Sequence, residues 1–85
     1  MEKDKRRLLI KEMFADNAFT EFRQVFTLIP EDIVSRDTGI PPSRIMRMIR
    51  DVKNLKVGDL YTLCSYFEID HKKLFELIFR DYPNL

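Results

Sequence analysis

Two proline-initiated segments separated by one glycine place the tightest limit on how this chain folds. Pro30 begins the first segment, Gly39 ends it, and Pro41-Pro42 begins the second. Proline in the first turn of a helix needs no backbone donor, and glycine adopts the left-handed conformation that ends a helix without steric cost. The pattern therefore predicts a short helix ending at Gly39, a buried Ile40 after the turn, and a second helix running from Pro42 to about Val52.

Hydrophobic spacing predicts further helices on both sides of this pair. We expect an N-terminal helix over 3–14, a second over 21–29 with Thr20 as its N-cap, a loop at 54–58, and a helix with a buried face over 57–67. A last helix follows, with Asp70 as N-cap and Pro83 as its stop. The apolar positions on which these helices rest are Leu9, Ile10, Met13 and Phe14; Phe22, Val25, Phe26 and Ile29; Val57, Leu60, Leu63, Cys64 and Phe67; and Leu74, Phe75, Ile78 and Phe79.

The chain of 85 residues is long enough for one small hydrophobic core and no more. With 45% hydrophobic and 34% charged residues, its composition is typical of a folded domain and excludes a disordered chain. We therefore expect a single compact all-α domain, 1–85, of five to six helices. Its parts are an N-terminal helix and turn (1–18), the central helix pair (30–52) and two supporting helices (57–81).

The net charge of +1 conceals an uneven distribution of charge along the chain. Residues 36–56 hold six basic and two acidic side chains, whereas 12–35 hold one basic and five acidic ones. Residues 1–11 are also basic, and 57–85 are acidic. A basic centre with acidic flanks is compatible either with a nucleic-acid partner or with an ordinary solvated surface.

The helix from Pro42 divides this basic centre into two faces. At 100° per residue, the apolar side chains Ile45, Met48, Ile49 and Val52 fall on one side and form part of the core. Ser43, Arg47 and Arg50 fall on the opposite side, with Arg44 and Met46 at the margins. Arginine on such a face suits DNA, because its planar fork binds guanine or holds a phosphate with charge-assisted hydrogen bonds.

No constellation for catalysis or metal binding stands out. Cys64, the one cysteine, lies on an apolar stripe, and the one histidine, His71, has no companion ligands. Asp32 and Asp37 lack a histidine partner, so we expect no enzyme activity, no cofactor, no metal and no small-molecule substrate. No apolar run is long enough for a membrane span and the first residues lack signal-peptide features, so we expect a cytoplasmic protein without a membrane partner.

The segment around the glycine resembles the lambda-repressor-like, Xre/Cro-type helix-turn-helix domains of bacterial and phage regulators. The resemblance covers about residues 28–77. It rests on Val34 and Ser35 before Gly39, on the apolar Ile40 after it, and on Asp70 at the start of the last helix. It rests also on the spacing of apolar residues in the helices that follow the glycine: Ile45, Met48, Val57, Leu60, Leu63, Cys64, Phe67, Ile69, Leu74 and Phe75.

The resemblance implies a helix-turn-helix fold with an extra N-terminal helix. It also implies a sequence-specific transcription regulator that binds double-stranded DNA, with 42–52 as the recognition helix in the major groove. On this hypothesis Ser43 and Arg47 are the candidates for contacts with base edges or with phosphates of the groove. Lys53 and Lys56 lie near backbone phosphates, and Arg36 either touches the backbone or pairs with a nearby carboxylate. The full predicted DNA-binding set is Arg36, Pro42, Ser43, Arg44, Met46, Arg47, Arg50, Lys53 and Lys56.

Three positions depart from the family pattern. Glu31 stands where glutamine is frequent, Pro41-Pro42 replaces polar residues, and Glu68 replaces a helix-ending glycine. The alternative hypothesis is therefore a protein-interaction or antitoxin-like accessory module on the same fold that does not bind DNA. Apolar residues of the first helix and of the tail, namely Leu8, Leu9, Ile10, Met13, Phe14, Phe79, Tyr82 and Leu85, also predict a homodimer.

Overall fold

The computed structural model describes residues 2–81, and all the helices expected from the sequence lie within that range. The six α-helices are α1 (Arg6–Ala15), α2 (Val25–Leu28), α3 (Glu31–Thr38), α4 (Pro42–Arg50), α5 (Val57–Phe67) and α6 (His71–Asp81). Two short 3-10 helices, Phe22–Gln24 and Val52–Asn54, connect them, and the described range contains no strand. The all-helical prediction is confirmed. The predicted stop at Pro83 and the tail residues Tyr82 and Leu85 fall outside the described residues.

The region expected to form one helix over 21–29 is instead a 3-10 helix that continues into α2. The predicted N-cap was also wrong: Gln24 Oε1 accepts hydrogen bonds from the backbone N–H of Thr20, at 2.8 Å, and of Glu21, at 3.1 Å. The amide of Gln24 therefore satisfies the donors at this helix start, where Thr20 had been expected to do so. The N-terminal helix likewise begins at Arg6 rather than at Lys3.

The α3–α4 pair has the turn that its prolines and glycine predict. Pro30 is the N-cap of α3, and Gly39 ends it with a φ of +81° in the left-handed region. Ile40 is buried after the turn, and its carbonyl accepts a 2.6 Å hydrogen bond from Ser35 Oγ. Pro42 is the first residue of α4. The backbone between the two helices is thus fixed both by glycine geometry and by a side-chain hydrogen bond across the turn.

The connection from α4 to α5 is more regular than the loop expected at 54–58. The helix α4 ends at Arg50, two residues before the predicted Val52, and Asp51 Oδ1 then accepts from the backbone N–H of Lys53 at 3.1 Å. This contact begins the second 3-10 helix, and α5 starts at Val57. The last helix follows the prediction at its start, where Asp70 Oδ1 accepts from the backbone N–H of Lys72 at 2.9 Å.

One hydrophobic core joins side chains from every helix. It includes Ile10 and Phe14 of α1, which had been counted toward a dimer surface but are buried within the monomer. Phe79 was expected to point inward, yet it is 48% exposed. The buried apolar residues of the described chain are Ile10, Phe14, Phe19, Phe22, Val25, Ile29, Val34, Ile40, Ile45, Met48, Val52, Leu60, Leu63, Cys64, Tyr66, Phe67, Leu74, Leu77 and Ile78.

A nearly buried carboxylate ties the segment before α1 to the end of α3. Asp37 accepts hydrogen bonds from the Tyr66 hydroxyl at 2.5 Å, the backbone N–H of Asp4 at 2.8 Å and Arg36 Nε at 3.1 Å. A second contact joins α1 to the end of α5, where Arg7 Nη1 donates to the Tyr66 carbonyl and to Glu68. Glu68, at the position where glycine is usual, holds a φ of +55°. These contacts hold α1 and the segment before it against α3 and α5.

Candidate nucleic-acid interface

The two faces predicted for α4 are confirmed by burial. Ile45 and Met48 are fully buried and anchor the helix to the core. Ser43 and Arg47 lie exposed on the other side, as do the remaining outward residues of the predicted set, Pro42, Met46 and Arg50. A helix held rigidly by one face therefore presents a hydroxyl and two arginines on the other, directly after a fixed turn.

The guanidinium donors of Arg47 and Arg50 are not used by any of the described residues. Within the described residues neither guanidinium makes an ion pair or a hydrogen bond to another side chain, although both lie on the same helix. Each guanidinium has five N–H donors in a planar fork that fits the two oxygens of a phosphate or the edge of guanine. The outward face of α4 is thus equipped to bind an anionic or acceptor-rich partner.

Arg44, in contrast, is engaged inside the domain. Its Nε donates to Asp59 Oδ2 at 2.7 Å and its Nη2 donates to Asp59 Oδ1 at 3.0 Å. The Asp59 side chain is 8% exposed and that of Arg44 is 35% exposed. This two-point contact joins α4 to the first turn of α5, and it commits the Arg44 guanidinium to Asp59 beside the face that Arg44 was expected to help form.

Arg36, Lys53 and Lys56 lie outside α4, the arginine on α3 and the two lysines after the end of α4. Arg36 is exposed, and its Nε bonds to Asp37, which is the carboxylate pairing that the sequence left open. Lys53 and Lys56 are exposed in the connection that follows α4. The two lysines continue the basic surface beyond the end of the helix, whereas the Arg36 charge is partly neutralised by its neighbour.

The acidic residues of 12–35 do not pair with the basic face. Asp32 is exposed and Glu31 is half-buried in the first turn of α3, and neither makes an ion pair with Arg47 or Arg50 in the described residues. Glu21 makes its ion pair with Arg23, from Oε2 to Nε at 2.6 Å. The charges of Arg47 and Arg50, unlike that of Arg44, are therefore not cancelled by direct contact with a carboxylate among the described residues.

Sequence reasoning missed two arginines that border the same surface. Arg23 and Arg80 line a cleft of about 430 Å³ together with Arg50. Its other lining residues are Glu21, Phe22, Met48, Ile49 and Val52. Arg23 and Arg80 belong to chain segments that count as acidic, so no local signal pointed to them.

Besides Met46 of α4 and Tyr61 of α5, large apolar side chains are exposed on α1 and beside the α4–α5 connection. Leu8 and Leu9 of α1 are 41% and 45% exposed. Val57 and Phe79 are exposed beside a second cleft of about 400 Å³ between the α4–α5 connection and α6. Its lining is mostly apolar and includes Leu55, Leu60, Phe75 and Ile78.

The described residues include one buried cysteine and no cluster of metal-ligating side chains. Cys64 is a buried free thiol of the core, as predicted, and burial raises the pKa of that thiol. Between residues 2 and 81 no three histidine, cysteine, aspartate or glutamate side chains are grouped closely enough to hold a metal ion. No helix in this part of the chain has the length and apolar character to cross a membrane.

The comparisons with known proteins give no independent guide to identity. No protein-family model matches the chain, and neither a curated protein nor a solved structure matches it. The candidate interface therefore rests on its own geometry and charge.

Proposed function

We propose that this protein is a sequence-specific DNA-binding transcription regulator in which α3, the Gly39 turn and α4 act as a helix-turn-helix. The observation that carries the proposal is the outward face of α4, where Arg47 and Arg50 are exposed and have no ion-pair partner among the described side chains, opposite fully buried Ile45 and Met48. In helix-turn-helix proteins the second helix enters the major groove and its N-terminal part lies nearest the bases. The helix α4 has the burial and charge suited to that position.

The proposed contacts divide into base readout and backbone positioning. Ser43 and Arg47 lie in the first two turns of α4 and are proposed to reach base edges, where a bidentate arginine discriminates guanine by about 1–3 kcal/mol. Arg50, Lys53 and Lys56 follow toward and beyond the helix end and are proposed to hold phosphates. Arg44 is proposed to act indirectly, through Asp59, by fixing the angle at which α4 leaves the domain.

A homodimer is proposed as the binding form. A domain with a net charge of +1 has few positive charges to neutralise phosphates, and a second copy doubles their number. Two recognition helices about 34 Å apart would then read successive major grooves. The cleft beside Val57 and Phe79 offers exposed apolar area for the contact between copies.

Selection of bound duplexes from a random DNA pool tests this proposal directly. The proposed function predicts recovery of a common sequence with two related half-sites about 10 base pairs apart, centre to centre. Affinity for the recovered site should fall steeply between about 50 and 200 mM salt, because phosphate contacts release counterions. Recovery of no preferred sequence, together with no salt-dependent binding at micromolar protein, would reject it.

A protein partner is the second candidate function. Two observations favour it: the carboxylate of Glu31 in the first turn of α3, and exposed Met46 between the arginines of α4. A carboxylate at that position repels phosphate, and an exposed methionine is typical of adaptable protein-binding surfaces. Glu31→Gln separates the two functions. If the protein binds DNA, this substitution should strengthen DNA binding. If it binds only a protein partner, neither the wild type nor Glu31→Gln should bind DNA detectably.

A further inference from the structure

The cleft between α4, the first 3-10 helix and α6 carries an excess of positive charge. Arg23, Arg50 and Arg80 line it, while Glu21 is the one carboxylate among its lining residues in the described chain. Glu21 pairs with Arg23 through Nε alone. Arg80 uses Nη1 to donate to the Phe19 carbonyl at 3.0 Å, and the Arg50 guanidinium has no partner among the described side chains. Most of the N–H donors of the three guanidinium groups are therefore uncommitted.

The side chains that are exposed in this cleft favour binding of an anion. Phe22 and Met48 also line it but are only 2% and 0% exposed, so the surface open to a ligand comes mainly from polar side chains. Arginine forks also match the paired oxygens of a phosphate better than a single halide ion.

We propose that this cleft is a phosphate-binding site in which Arg23, Arg50 and Arg80 hold one phosphate group. The phosphate belongs either to the DNA backbone beside α4 or to a free phosphorylated ligand, and the chemistry of recognition is the same for both. The site does not require the proposed function, since a free phosphate would bind even to a protein that binds no DNA.

Arg23 is the best residue with which to test the site. Its side chain is 70% exposed and belongs to no core contact, so Arg23→Gln should fold normally. Arg80→Gln would also remove the hydrogen bond to Phe19 and is a poorer choice. Lys72→Gln on α6 is the matched control, because Lys72 is exposed and does not line the cleft.

The experiment is a titration of the ¹⁵N-labelled protein with inorganic phosphate and with pyrophosphate at constant ionic strength, read by amide and arginine Nε–H chemical shifts. The site predicts saturable shifts centred on Arg23, Ile49 and Arg50, absent with chloride. Arg23→Gln should weaken binding about tenfold, as expected for loss of charge-assisted hydrogen bonds, and Lys72→Gln should leave it unchanged. Shifts equal to those with chloride, or equal phosphate binding by Arg23→Gln, would overturn the site.

A parallel titration with duplex DNA identifies the source of the phosphate. If it is the DNA backbone, Arg23→Gln weakens binding to all duplex sequences alike and lowers the salt slope by about one. If it is a free ligand, Arg23→Gln weakens pyrophosphate binding about tenfold and keeps its duplex affinity. A wild-type protein that binds pyrophosphate in the cleft but no duplex would refute the proposed function and support the site.

Discussion

Arg44 on α4 donates two hydrogen bonds to the carboxylate of Asp59 on α5, at 2.7 and 3.0 Å, and this pair sets the position of the outward face. The Asp59 side chain is 8% exposed, and a carboxylate this buried strongly destabilises the fold when it has no partner for its charge. The helix that carries the exposed arginines is thereby fixed to the supporting helices by a polar contact as well as by Ile45 and Met48.

Arg44→Ala should therefore lower the free energy of unfolding by about 1–3 kcal/mol, through loss of charge-assisted hydrogen bonds to a buried acceptor. Arg47→Ala, at an exposed position without a partner among the described side chains, should change it by less than about 0.5 kcal/mol. Urea unfolding of the two variants measures this difference in unfolding free energy. Equal stability of Arg44→Ala and Arg47→Ala would show that the pair does not support the fold.

The two glycines should respond to alanine with opposite signs. Gly39 has a φ of +81°, and apart from its chain neighbours no heavy atom lies within 4 Å of the place a Cβ would take, so Gly39→Ala should lose about 1–2 kcal/mol from backbone strain alone. Gly58 lies in the first turn of α5 with equally free space, so Gly58→Ala should gain up to about 1 kcal/mol from lower unfolded-state entropy. Thermal unfolding of both variants checks the signs, and a stabilised Gly39→Ala would contradict the left-handed turn.

Asp37 should make the fold sensitive to acid. Burial raises the pKa of this carboxyl, but hydrogen bonds from Tyr66, the Asp4 amide and Arg36 outweigh burial and hold the pKa below its ordinary value. A lowered folded-state pKa gives stability that is present above the unfolded value of about 3.9 and is lost as the pH falls through the folded value.

Asp37→Asn tests this pH dependence by removing the titrating group. The wild type should be more stable than Asp37→Asn at neutral pH, and the difference should narrow as the pH falls below about 3.9. Unfolding free energies measured from neutral pH down to about pH 2 provide the comparison. A difference in unfolding free energy that stays constant over this range would mean that these contacts do not lower the pKa of Asp37.

The proposed dimer should depend on the exposed apolar cleft. Phe79→Ser should shift the protein toward monomer, because the 48%-exposed ring contributes to the surface proposed between copies. Leu9→Ser, on α1, is the matched change at a similarly exposed apolar position away from this cleft. Sedimentation equilibrium of the wild type and both variants distinguishes the two surfaces. A wild-type protein that is monomeric at high micromolar concentration would exclude the cleft as a dimer interface. A dimer that is dissociated only by Leu9→Ser would exclude it as well.

Features determined by local rules could be predicted from the sequence. The turn at Gly39, the burial of Ile40 and the inward face of α4 with Ile45 and Met48 depend on backbone preference and on helical spacing, which are readable over a few residues. The 3-10 start of the second helical region was not predictable in the same way. This start forms because the Gln24 side chain, and not that of Thr20, accepts hydrogen bonds from two backbone N–H groups. Which of the two side chains does so depends on their rotamers.

Features that depend on packing between distant elements could not be predicted from the sequence. Arg44 was expected at the margin of the basic face, but its orientation follows from where α5 places Asp59, fifteen residues later in the chain. The cleft combines Arg50 with Arg23 and Arg80 from segments of negative net charge. Charge counted along the chain cannot reveal a site whose members meet only after folding.

The exposed Arg47 guanidinium is the most direct point at which to test the proposed DNA binding. Arg47→Glu and the control Lys72→Glu should both fold, and their affinities for a selected duplex can be measured by fluorescence anisotropy at several salt concentrations. Reversal at Arg47 should weaken binding at least about tenfold, as loss of a base or phosphate contact predicts, while Lys72→Glu should change it less than about threefold. Equal affinity of wild type and Arg47→Glu would contradict the assignment of α4 as the DNA-binding helix.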